Sequence, residues 1–186
     1  MRTGILLARI EQDLNELFLA LELEERWKQK GYGDVQFIDM ADYGYPSQDY
    51  ETLSGSLFVC DALIIVCRAR ERLMHVDMLI QKIPEYFHGR PVGLIAGTTQ
   101  DSRQDGGLSN LKSSLQQQKT RCYEHSLLFS SKERLFGEHM LLDSPSMALK
   151  LDHYIQDFSD FAFEKICYEN YLPVGTFALD GRQGTH

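Results

Sequence analysis

Apolar residues fall into five short runs along the chain, with amphipathic stretches between them. Arg2-Thr-Gly-Ile-Leu-Leu-Ala8, Asp34-Val-Gln-Phe-Ile-Asp39, Cys60-Asp-Ala-Leu-Ile-Ile-Val-Cys67, Gly89-Arg-Pro-Val-Gly-Leu-Ile-Ala-Gly97 and residues 121–129 each have the length of a strand. The third and fourth runs are apolar without alternation, the mark of strands covered on both faces. One helical stretch lies between them, so together they predict a βαβ unit in a parallel sheet. After the first strand, Asp13 is placed to cap a helix whose apolar face is Leu14, Leu17, Phe18, Leu21 and Trp27, ended by Gly31 and Gly33. Residues 48–59 predict a short helix weakened by Gly55. Residues 73–87 predict another, shortened or kinked by Pro84. Leu108, Leu111 and Leu115 share one face of a helix over 108–119. Ser144-Pro145 is a cap with proline at the first helical position. It opens a last helix, running to about residue 168, with Met147, Leu151, Tyr154, Ile155, Phe158 and Phe161 as its core stripe.

Five strands alternating with helices predict an α/β fold of the flavodoxin-like kind. It is a three-layer sandwich around a five-stranded parallel sheet of order 2-1-3-4-5. Right-handed crossovers then set the ends of strands one, three and four side by side. Ligands of such sheets bind where the strands end. The residues that follow Ala8, Cys67 and Gly97 are therefore expected to form one site. One domain spans 1–168, and 169–186 form a tail. That tail is apolar through Leu179, so it needs a surface to cover, and its last seven residues are expected to be disordered.

The formal net charge of −8 argues against nucleic acid or an anionic membrane as partner. No apolar run reaches membrane-spanning length, and the N-terminus does not read as a signal peptide. Cys60, Cys67, Cys122 and Cys167 show no paired spacing, which predicts a reduced, cytoplasmic protein without disulfides or a metal cluster. Cys67, at a strand end near Arg68 and Arg70, reads as a buried structural thiol rather than a reactive one. His75, His88, His125, His139 and His153 are scattered, and no Gly-x-Ser-x-Gly elbow is present. No side chain stands out as catalytic.

In layout, residues 2–165 resemble the NADPH-dependent FMN reductase family. Phe37-Ile-Asp-Met-Ala-Asp-Tyr-Gly-Tyr-Pro46 is similar to that family's acidic strand end and Pro-rich loop. Cys60-Asp-Ala-Leu-Ile-Ile-Val-Cys-Arg-Ala-Arg-Glu71 stands where its Ala-Asp-Ala-Ile-Ile strand leads into Pro-Glu-Tyr-Asn. Gly89-Arg-Pro-Val92 matches its Gly-Lys-Pro-Val. The resemblance implies FMN as cofactor, NADPH as its reductant, a homodimer, and reduction of a flavin, quinone or similar acceptor. The family's phosphate loop, Gly-Ser-x-Arg-x-x-Ser-x-Asn, survives here only as Asn15, with Arg9 one place off. The tyrosine that covers the flavin is absent, because Arg68-Ala-Arg70-Glu71 replaces Pro-Glu-Tyr-Asn.

These departures have a physical meaning. Glu11 and Asp13 put negative charge where the FMN phosphate would lie. Like charges about 5 Å apart repel by roughly 1 kcal/mol even in water. Arg9, Arg68, Arg70 and Arg103 meanwhile gather past strands one, three and four, where guanidinium forks could hold a phosphate or carboxylate. They could equally pair with Glu11, Asp13, Glu71 and Asp101 in a network that closes the pocket. The candidate binding residues are Arg9, Asn15, Arg68, Arg70, Thr98 and Thr99. Two functions are open. One is a diverged binding or interaction module, without the standard FMN site, for a small anionic ligand or a protein partner. The other is an NAD(P)H-dependent flavin or quinone oxidoreductase holding FMN in an altered pose.

Overall fold

A computed structural model of the chain describes residues 1–8, 14–43, 50–69, 74–98, 106–130, 135–137 and 142–171. The strands are β1 (Arg2–Ala8), β2 (Asp34–Asp39), β3 (Ala62–Arg68), β4 (Pro91–Thr98), β5 (Arg121–Cys122) and β6 (Leu127–Ser130). The helices are α1 (Leu14–Lys30), α2 (Tyr50–Phe58), α3 (Met74–Lys82), α4 (Pro84–Phe87), α5 (Gly106–Gln117) and α6 (Pro145–Tyr171). The sheet is parallel and ordered β2-β1-β3-β4-β5, with β6 also on β4. This is the expected flavodoxin-like arrangement. Alternate strand residues feed two cores. Ile5, Leu7, Ile64, Val66 and Ile95 pack beneath α1 and α6. Leu6, Leu63, Ile65, Leu94 and Ala96 pack beneath α2 to α5.

Local chemistry accounts for most boundaries. Gly31 and Gly33 end α1 at φ 71° and 110°, in the left-handed region that L side chains avoid. A Cβ on Gly33 would also strike the Met1 carbonyl. The predicted helix over 73–87 is two helices, parted at Ile83 before Pro84. Ser144 caps α6, its Oγ accepting the Met147 amide at 3.4 Å. The stripe of Met147, Leu151, Tyr154, Ile155 and Phe158 on α6 is buried.

Two expectations need correction. The run 121–129 is not one strand. Between the pairs Val92↔Cys122 and Ile95↔Leu127 the edge strand takes five steps against three on β4. At the break, the Tyr123 ring sits among aromatic rings, 5.8 Å from Tyr154, 6.0 Å from Phe158 and 5.3 Å from Phe161 by centroid. The Tyr123 amide still donates to the Val92 carbonyl at 2.8 Å, so the chain leaves the ladder just after it. The buried face of α1 keeps only Trp27 of the predicted one: it is Glu16, Leu19, Ala20, Leu23 and Trp27. Leu14 and Leu21 stand 54% and 42% exposed. Leu17 and Phe18 pack at the margin, with the Phe18 ring edge-on to Phe136. Helix α1 is apolar on two faces, and the one carrying Leu19, Leu23 and Trp27 covers more of the sheet.

Candidate functional site

The carboxyl ends of β1, β3 and β4 meet as expected. Ala8 lies opposite Cys67, and Arg68 lies opposite Gly97. The Ala69 amide donates to the Gly97 carbonyl at 2.8 Å, so the chain leaves β3 still tied to β4. Helix α1 begins six residues after β1 and lays its first turn over this edge.

The floor of this mouth is an ion pair. Glu16, the third residue of α1, is 1% exposed. Its Oε1 accepts a hydrogen bond from Arg68 Nε at 3.2 Å. The same carboxylate lies against β4: a Cβ built on Gly97 would sit 2.7 Å from Oε1 and 2.8 Å from Phe129 Cζ. Glycine as the next-to-last residue of β4 is therefore what leaves room for the carboxylate. A buried carboxylate is tolerated only when paired, and Arg68 supplies the charge and a hydrogen bond. Beneath the pair, burial and the Glu16 charge push the Cys67 thiol up to about 12. A thiol so held is neutral and inert, as its structural reading requires.

The predicted residues divide as follows. Arg68 is at the floor, joined to Glu16. Asn15 is half-buried in the same first turn of α1. Thr98 ends β4, with its hydroxyl donating to the Phe129 carbonyl at 3.3 Å. Arg9, Arg70 and Thr99 lie outside the described residues. So do Glu11, Asp13, Glu71, Asp101 and Arg103. Across the sheet, His75 is buried in the first turn of α3, and burial lowers its pKa. Among the described residues, no group of His, Cys, Asp or Glu could hold a metal ion, and no helix is long and apolar enough to cross a membrane. A cleft of about 470 Å³ lined by Arg2, Lys28, Gly33, Asp34, Val35 and Gln36 is at the opposite end of the sheet.

Glu16 is the residue that the sequence reading missed. Its signal was an acid inside an i, i+3, i+4, i+7 stripe with Leu19, Ala20 and Leu23. An Arg–Glu pair of this kind has no net charge. Part of the Arg68 charge is therefore already met by the chain's own carboxylate, so the described residues do not form an ordinary phosphate seat at the floor.

No protein-family model matches the chain, and no curated protein does. Solved structures do share its architecture. One is FerB, a flavoenzyme NAD(P)H:(acceptor) oxidoreductase from Paracoccus denitrificans. It has a TM-score of 0.67 and 11% identity over 88% of this chain and 98% of that one. An NADH:FMN oxidoreductase in its apo form has a TM-score of 0.62 and 11% identity, covering 87% of this chain and 89% of that one. A flavodoxin variant from Pseudomonas aeruginosa has a TM-score of 0.57 and 13% identity, covering 88% and 99%. At these identities the likeness is one of fold.

Proposed function

We propose that this chain is a binding module on a flavodoxin-like frame, diverged from NADPH-dependent FMN reductases, with its mouth no longer serving as a standard FMN seat. The Glu16–Arg68 pair carries this reading. An FMN phosphate at the floor would either face the Glu16 charge or displace it from Arg68. Breaking a buried pair leaves an uncompensated charge and costs about 3–5 kcal/mol. The mouth then serves a ligand or a protein partner rather than a redox cofactor. The test is the visible spectrum of the purified protein, followed by FMN titration and NADPH oxidation with a quinone. A colourless protein that leaves added FMN fluorescent and NADPH unconsumed is the expected result. A yellow preparation, or tight FMN uptake, would overturn it.

A second reading is an NAD(P)H-dependent flavin or quinone oxidoreductase that holds FMN in an altered pose. Oxidoreductases of this kind that share the same frame favour it. The flavin would then supply the redox chemistry, and the chain's residues would only seat it. Asn15, Arg68 and Thr98, with Arg9, Arg70 and Thr99, are the residues proposed to do so. A cytoplasmic homodimer accords with either reading, and light scattering measures the mass.

A further inference from the structure

We propose that the outer face of α1 is a docking groove for a basic amphipathic helix of a partner protein. Apolar residues of that helix would lie on Leu14, Phe18 and Leu21, and its lysines or arginines would meet Glu22, Glu24 and Glu25.

The order of residues in α1 sets this face apart. Leu14, Phe18, Leu21 and Glu25 recur at i, i+4, i+7 and i+11, so they line one side of the helix. Leu19, Leu23 and Trp27, which cover the sheet, line the opposite side. A surface helix ordinarily turns polar residues outward. Here Leu14 and Leu21 are 54% and 42% exposed, and half-buried Phe18 carries the apolar surface across to Phe136. Apolar surface rimmed by polar residues marks an interaction site. The surface is also concave: Phe18, Leu21, Glu22, Glu24 and Glu25 line a groove of about 330 Å³. Leucine and phenylalanine at these spacings are the anchors by which one helix receives another.

Charge selects the occupant. Among the described residues, three glutamates and no lysine or arginine line the groove. Glu22 and Glu24 accept hydrogen bonds from Arg26 and Lys28, both at 2.7 Å, but Arg26 is shared with Asp152 of α6 at 2.8 Å. Glu25 accepts from Gln29, a neutral side chain, at 2.9 Å. The rim therefore carries more acid than base, on a chain whose formal net charge is −8. A basic helix is drawn to such a rim and an acidic one is repelled. A second copy seated face to face would set the same glutamates against one another.

The test uses the full chain and a fluorescein-labelled peptide of leucine and lysine in amphipathic helical order, about four turns long, read by fluorescence anisotropy. A peptide of the same composition in scrambled order is the control. The wild type should bind the ordered peptide saturably, one to one, and at least tenfold more tightly than the scrambled one. Leu14→Ser/Leu21→Ser should weaken that binding at least tenfold; should this variant fail to fold, Leu21→Lys alone takes its place. Glu25→Lys should weaken binding at low salt more than Asp160→Lys, the same charge reversal at an exposed position of α6. Equal binding of the two peptides, an indifferent leucine variant, or equal losses from the two lysine variants would show diffuse attraction to an acidic protein and overturn the groove. So would a wild-type dimer that Leu14→Ser/Leu21→Ser dissociates, since a second copy then covers the face. Peptide binding that appears only after residues 172–186 are deleted would overturn it too, since the chain then covers itself. The groove faces away from the sheet, so FMN uptake by the wild type would overturn the reading of the mouth and leave this one standing.

Discussion

A single methyl group at Gly97 probes the floor from the strand side. In Gly97→Ala the new Cβ would lie 2.7 Å from Glu16 Oε1, 2.8 Å from Phe129 Cζ and 3.0 Å from Phe129 Cε2. Ordinary contacts of a methyl carbon begin several tenths of an ångström further out. Phe129 has little freedom to yield, because it is buried and its backbone is registered to Gly97 in the β4–β6 ladder. The carboxylate must therefore move, and its movement lengthens the bond to Arg68. Overpacking alone costs about 1–3 kcal/mol. Complete rupture of a buried pair costs about 3–5 kcal/mol. A carboxylate that pivots without leaving pays part of the second cost, which puts the expected loss at about 2–5 kcal/mol. In a chain of this size that lowers the melting temperature by roughly 4 °C or more.

Urea unfolding followed by circular dichroism measures the loss. Three proteins suffice beside the wild type: Gly97→Ala, Glu16→Ala, and the two substitutions together. Removing the carboxylate removes what the methyl collides with. The double variant should therefore be more stable than the sum of the singles by at least about 1 kcal/mol, as expected for residues in contact. A loss below about 0.5 kcal/mol in Gly97→Ala, or strict additivity in the double variant, would show that the carboxylate does not rest on β4.

Two further predictions follow from buried titratable groups. Cys67, with its thiol pushed up to about 12, should resist alkylation in the native protein at pH 8 and react only as the chain unfolds. Labelling of the folded protein at Cys67 as fast as in denaturant would refute its burial. Because the unfolded thiol ionises near its ordinary value of 9.0 while the folded one stays neutral, Cys67 should also make stability fall as pH rises above about 9. His75 acts on the acid side. Burial lowers its pKa from 6.5, so the unfolded chain binds a proton that the folded one refuses, and stability should decline as pH falls below about 6.5. His75→Gln should flatten that decline, and an unchanged slope would assign it to other groups.

Strand positions and most helix boundaries were legible because their determinants are local, and the sheet order followed from the alternation of strands and helices. A short β-branched run such as Leu63-Ile-Ile-Val66 reads as a strand covered on both faces, and Gly31, Pro84 and Ser144 punctuate the chain by their own backbone chemistry. The meeting of Ala8, Arg68 and Gly97 followed from strand order alone. The orientation of α1 did not, because two stripes compete. Leu14, Leu17, Phe18 and Leu21 make the more continuous apolar line, yet Leu19, Ala20, Leu23 and Trp27 face the sheet. The split in the edge strand was equally hidden, since the partners of Tyr123 lie more than thirty residues away on α6.

The arginines show why the site was harder to read than the fold. Arg68 ends β3 opposite Gly97, but a guanidinium at a strand end has two possible counter-ions, one brought by a ligand and one carried by the chain. Sequence spacing shows the cation and is silent about which of these it meets. Its partner is 52 residues upstream, on a helix whose inward face was itself ambiguous. The two uncertainties are one. If α1 had turned Leu14, Phe18 and Leu21 inward, Glu16 would point away from the sheet and Arg68 would be open to an external anion. With Leu19, Leu23 and Trp27 inward, Glu16 is carried into the core, where a carboxylate requires a cation. Arg68 and the bare Cα of Gly97 stand on the strand ends within its reach. An acid in the buried stripe of the first helix, facing arginine and glycine on adjoining strand ends, is thus the pattern on which the proposed reading of the mouth turns. It rests on the rotation of α1, which places one carboxylate.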